Sequence, residues 1–147
     1  MVDNFNSKYE RYLFMAEDGV SYAQNILGLI YEEGIEVPKN LNRAFKWYEL
    51  AAEQGLAKAQ FNLALCYKNA KGCQLNYTKA VELFTNASLQ EHNRSFFHLA
   101  DMYERGVGVE KNIDRAKQEY ENAAKNGYKP AYIKLQELSD ISTLKVK

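Results

Sequence analysis

The sequence predicts an all-α protein, a solenoid in which a pair of helices recurs every 36 residues. Three observations carry that prediction. First, shifting the chain by 36 brings it into register with no insertion: "AQNILGLIYEEG" begins at Ala23, "AQFNLALCYKNA" at Ala59, "SFFHLADMYERG" at Ser95 and "AYIKLQELS" at Ala131. Second, the recurring residues sit at helical spacing, not strand spacing. Third, Asn and Gly recur at the places where such helices must start and stop.

The elements follow in order. Residues 7–19 read as half a unit, equivalent to a second helix. Three full units follow, 21–55, 56–91 and 92–127, and a last first-helix equivalent over 130–141 caps the array. Together they make one repeat domain over 1–147. In the first unit the first helix is expected over 22–33, because Ala23, Leu27, Ile30 and Tyr31 fall on one face. The second is expected over 41–54, where Ala44, Tyr48, Ala51 and Ala52 repeat that spacing. Asn40, Asn76 and Asn112 precede the second helices, where an Asn side chain accepts from a free backbone N–H. Gly19, Gly55 and Gly127 follow them as left-handed C-caps. Small residues at Gly28, Ala64 and Ala100 let paired helices approach closely, and aligned Leu and Tyr fill the gaps. Gln136 and Ser139 replace the small residue and the Tyr in the last helix, giving it the polar face of a cap. "ISTLKVK" reads as a frayed tail.

The pattern breaks at four places. Glu36 and Ala70 stand where loop glycines belong, Glu91 where a turn glycine belongs, and Ser88 where a helix alanine belongs. Most of these fall in the middle unit, so a different bend is one expectation there.

Composition narrows function. Lys plus Arg and Asp plus Glu are 19 each, so no broad basic face for nucleic acid is expected, although small basic patches remain open. The start lacks a secretory signal, and no run is long and apolar enough to span a membrane. A cytoplasmic protein without membrane partner is therefore expected. Asn76, Asn86 and Asn93 match the N-glycosylation pattern and read as coincidence in that setting. "GVG" at 106–108 follows no strand and precedes no "GK[ST]", so it marks a loop and not a phosphate site. His92 and His98 fit no zinc spacing; His98 and Asp101, at i and i+3, read as a surface pair. Cys66 and Cys73 occupy apolar repeat positions and read as buried free thiols. No catalytic constellation, metal site or cofactor is expected.

The unit A-x₃-L-G-x₂-Y, then G-x-G-V, then K/R-A-x₃-Y-x₂-A-A-x₂-G resembles the Sel1-like repeats, relatives of tetratricopeptide repeats. The third unit shows it best, "LADMYERGVGVEKNIDRAKQEYENAAKNG" from Leu99 to Gly127. The resemblance implies a right-handed α/α superhelix and a non-catalytic module that binds another protein as adaptor or regulator. An immunity protein neutralising a cognate toxin is the alternative, and a small-molecule-binding or hydrolytic protein a lesser one. Some family members carry a disulfide in every repeat; here the cysteines are confined to one unit. In related solenoids the first helices line the concave face. That places the partner-binding residues at Tyr22, Asn25, Leu29 and Glu32; at Lys58, Phe61, Leu65 and Lys68; and at Arg94, Phe97, Asp101, Glu104 and Arg105. Glu33 and Asn69 complete the unburied set. Phe61 and Phe97 have a competing reading, as packing between adjacent first helices.

Overall fold

A computed structural model describes residues 5–145. Among them are eight helices and no strand: α1 Lys8–Glu17, α2 Ser21–Glu33, α3 Leu41–Glu53, α4 Ala57–Asn69, α5 Tyr77–Ser88, α6 Asn93–Arg105, α7 Ile113–Lys125 and α8 Lys129–Leu144. Each helix packs on the next in sequence, so α2/α3, α4/α5 and α6/α7 form the three pairs. The first and second helices end within a residue of their expected bounds. The tail departs from expectation: α8 continues through Leu144, where fraying was expected. Val146 and Lys147 lie outside the described residues.

The starts of the second helices are set by side-chain capping. Asn40, Asn76 and Asn112 accept from the N–H groups of Arg43, Lys79 and Arg115 at 3.0, 3.0 and 2.9 Å. Ser7 does the same for Glu10 at 3.1 Å. The first helices start without a side-chain cap and end in a left-handed residue, Gly34, Ala70 or Gly106. Each connecting loop then closes when Asn40, Asn76 or Asn112 donates its backbone N–H to the carbonyl of Tyr31, Tyr67 or Tyr103.

The bend survives where glycine is missing. Glu36, Ala70 and Glu91 all take positive φ, 61°, 54° and 60°, so the backbone repeats and the side chain bears the strain. Glu36 has a use for its side chain. At Gly72 and Gly108 a Cβ would meet the carbonyls of Leu41 and Tyr77, the first residues of α3 and α5. The matching helix, α1, begins a turn later, and the Glu36 carboxylate accepts from the N–H of Tyr9 at 2.8 Å. It caps the helix whose missing turn made room for it.

The core is a row of aromatic rings from the second helices, Tyr48, Phe84 and Tyr120, all fully buried between alanines. Gly28 exists for Tyr48: a Cβ there would lie 2.4 Å from the ring. A polar rail ties the units along another edge. Gln54 donates to the carbonyl of Gly19 and to the Gln24 side chain at 3.0 and 2.8 Å, and Gln90 repeats this with Gly55 and Gln60, 2.9 Å each. At the third joint Phe96 replaces the receiving Gln, and the shorter Asn126 reaches Glu91 at 3.4 Å.

Candidate functional site

The first helices α2, α4 and α6 present one face, and successive units fill it with different chemistry on the same frame. In the first unit the Tyr48 hydroxyl donates to the Glu32 carboxylate at 2.6 Å; in the third, Tyr120 donates to Glu104 at 2.7 Å. Burial raises both phenols above their ordinary value, and the carboxylates raise them further. Glu32 also accepts from Lys71 at 2.7 Å. Burial pushes the Glu32 carboxyl up, but the bonds from Lys71 and Tyr48 outweigh it and hold the group below its usual range. Glu104 lies 3.8 Å from Lys134.

The middle unit exchanges both members of this pair. Phe84 stands in the tyrosine position and Lys68 in the glutamate position. Without a hydroxyl below, Lys68 turns to the third unit: its ammonium lies 3.5 Å from Asp101 and 3.5 Å from His98 Nδ1. An ammonium only donates, so Nδ1 accepts and the ring proton sits on Nε2. His98 stacks on Phe84 with planes 8° apart and centroids 5.2 Å apart. Burial first, then Lys68 and Arg94, drop the His98 pKa to about 4. His92 is lowered as well, by burial and then by Arg94 and Lys58. Arg105 meets Asp101 at 3.6 Å, and the Arg94 guanidinium lies 4.7 Å over the Phe61 ring. Arg94, Phe61, His98, Lys68, Asp101 and Arg105 thus form one continuous ribbon across α4 and α6.

Expected and observed positions differ at two residues. Asn25 and Phe61 are 2% and 3% exposed, so they are not part of the unburied surface. Asn25 accepts from Asn62 at 2.9 Å, and Phe61 packs on Phe84, His92 and His98. The packing reading holds for Phe61. Phe97 is half-buried against Tyr120 and Tyr128. Leu29, Glu32, Leu65, Lys68, Asp101 and Glu104 are also half-buried, while Tyr22, Glu33, Lys58, Asn69, Arg94 and Arg105 are exposed. The His98–Asp101 surface pair does not form: His98 is half-buried, and Asp101 pairs with Lys68 and Arg105. Sequence reasoning passed over His98 and Phe84 as parts of this face. The signal was present, since His98 aligns with Ile26 and Asn62, and Phe84 changes together with Lys68.

Both cysteines are free, Cys66 buried and Cys73 half-buried. Burial pushes the Cys66 thiol up to about 12, so the reactive thiolate is suppressed. Among the described residues no cluster of three His, Cys, Asp or Glu could hold a metal, and no helix is long and apolar enough to cross a membrane.

The comparisons meet this geometry. The Sel1 repeat model matches residues 21–56, 57–92 and 97–128. The chain belongs to the Sel1-repeat family. A Sel1 repeat protein from Oxalobacter formigenes superposes with TM-score 0.79 at 34% identity, over 86% of this chain and 55% of that one. The c5321 protein, described as a protective antigen of uropathogenic Escherichia coli with an SLR fold, gives TM-score 0.80 at 34% identity, over 83% of this chain and 26% of that one. The chain therefore spans about half of the first protein (55%) and a quarter (26%) of the second. Cysteine-rich protein B of Helicobacter pylori shares the fold at TM-score 0.65 and 22% identity, over 83% of this chain and 87% of that one. No curated protein matches the chain. The α-solenoid expectation stands, and with it the general character of the fold: Sel1-repeat proteins are generally non-catalytic scaffolds for protein–protein contact.

Proposed function

We propose that the chain binds a partner protein through the face of α2, α4 and α6, as adaptor or regulator. One observation carries the reading: the ribbon from Arg94 to Arg105 joins two units through side chains that, Phe61 apart, do not repeat. Core positions recur because stacking demands it; the ribbon's letters are free of that demand, so they can encode a partner. Aromatic and Arg side chains beside half-buried apolar ones are what a binding hot spot uses, and Phe97, Leu65, Arg94 and Arg105 supply them. Asn25 and Phe61 act from beneath, as supports.

The test is affinity capture with mass spectrometry, using two surface variants. Tyr22→Ser with Arg105→Ser alters the first-helix face; Leu50→Ser with Leu89→Ser alters exposed positions on the second helices. The expected result is loss of a stoichiometric partner in the first variant alone, with thermal unfolding unchanged in both. Loss in the second alone overturns the assignment of the face. Assay of the captured partner's own activity then separates an inhibitor from an adaptor.

A further inference from the structure

The face is not evenly charged. Position by position, Tyr22 becomes Lys58 and then Arg94; Glu32 becomes Lys68 and then Glu104; Glu33 becomes Asn69 and then Arg105. The first unit's end carries Glu32 and Glu33, the second unit carries Lys58 and Lys68 with no carboxylate, and the third sets Arg94 and Arg105 against Asp101 and Glu104, although the whole chain carries no net charge. Across α4 and α6 four cations, Lys58, Lys68, Arg94 and Arg105, face two carboxylates, Glu104 and Asp101, the latter already shared by Lys68 and Arg105. The flanking carboxylates do not balance them. Glu32 is held by Lys71 and Tyr48, and Glu104 by Lys134 and Tyr120. Lys58 and Arg94 have no ion pair among the described residues.

We propose that this ribbon receives an acidic, extended segment of the partner protein, its carboxylates meeting Lys58, Arg94, Lys68 and Arg105 while an apolar side chain rests on Phe97 and Leu65. The proposal rests on the protein-binding reading above and names the chemistry of its partner. Arg94 is prepared for the task. Its guanidinium lies 4.7 Å over the Phe61 ring, a contact that helps hold it in place, and a guanidinium held by an aromatic face still has N–H donors for a carboxylate. Burial first, and Arg94 after it, lowers the pKa values of both His92 and His98, so neither imidazole adds a proton that would compete with the four cations. Exposed Glu33, in no ion pair among the described residues, marks the first unit as the acidic end and gives the segment a direction, because its charged part must lie over the second and third units. Asp101 on the path and these glutamates disfavour a continuous phosphate backbone.

Adjacent helices lie about 8–10 Å apart, so a peptide of about ten residues crosses the ribbon with margin at both ends. A random display library of that length is panned against the wild-type chain, Lys58→Gln/Arg94→Gln and Lys58→Glu/Arg94→Glu, each first checked for unchanged thermal unfolding. Enrichment of Asp- and Glu-rich peptides on the wild type is expected. Their affinity falls about tenfold in the Gln variant and further in the Glu variant, and it weakens with added salt. Neutral or basic peptides lost in both variants overturn the acidic chemistry and leave the binding face standing. Peptides indifferent to both variants, or no enrichment at all, overturn the acidic segment and count against the face as well. Competition by an oligothymidylate of equal length, at equal strength, replaces the acidic protein segment with nucleic acid and overturns the proposal.

Discussion

The flanking units and the middle unit place an aromatic ring and a charged side chain at the same coordinates. In the flanks the pair is Tyr and Glu, joined by a short hydrogen bond. In the middle it is Phe and Lys, which do not bond to each other; the ring stacks on His98 and the ammonium reaches forward to the next unit. The backbone does not register the exchange. A solenoid can therefore reverse the charge of one unit without refolding, provided both partners change together. A Tyr left over Lys68, or a Phe under Glu32, would strand a polar group.

The largest expected effect comes from breaking the flanking pairs. Tyr48→Phe and Tyr120→Phe each remove the donor from a mostly buried carboxylate and should cost about 2 kcal/mol, read by urea unfolding. Phe84→Tyr should also destabilise, and adding Lys68→Glu should recover part of the loss, as a favourable coupling of roughly 1 kcal/mol in a double-mutant cycle. Zero coupling would mean that the two positions vary independently.

Next is pH. The folded-state pKa of His98, about 4, lies below its ordinary value of 6.5. Folding thus favours the neutral ring, and the unfolded chain binds the proton more readily. Stability from this group is full above pH 6.5, falls as pH drops toward 4, and levels off below. A fall from 6.5 to about 4 corresponds to at most about 3.4 kcal/mol, and solvent screening at the half-buried ring should bring the loss over that window to about 1–2 kcal/mol. His98→Asn, which restores the residue found at position 62, should flatten the slope; an unchanged slope would place the titrating group elsewhere.

Smallest is the backbone. Ala70→Gly relieves positive φ in the middle unit and should stabilise by about 1 kcal/mol; Glu91→Gly should gain less, because the long bond from Asn126 goes with the strain. Glu36→Gly, in the first unit, should gain nothing, because the cap on Tyr9 goes with the strain. A clear rise in the unfolding temperature for Glu36→Gly would show that the cap contributes little.

The frame was legible because stacking imposes one letter set on every unit: Leu27, Leu63 and Leu99, or Ala44, Ala80 and Ala116, announce themselves by recurrence. The face was legible only in outline. Asn25 reads as surface and Phe61 stays open between surface and packing because helical phase alone cannot tell a side chain turned to the groove from one turned to the neighbouring first helix. That choice depends on what the neighbour offers, Asn62 to one and His98 to the other. Likewise the bends at Ala70 and Glu91 looked like departures, since a sequence shows the lost glycine but not the packing that keeps its conformation.

The glutamine rail sets how the object behaves as a mechanical part. Gln54 and Gln90 bolt the first two joints at fixed spacing, because a pair of hydrogen bonds has one good geometry. At the third joint Phe96 replaces the receiving glutamine, and Asn126 is held by two longer bonds, donating to Glu91 at 3.4 Å and accepting from Asn93 at 3.3 Å. Load applied by a partner is therefore expected to be taken up there first. That joint lies where α6 meets α5, so the ribbon spans the rigid segment and the compliant one, and whatever seats on it also sets the angle between them.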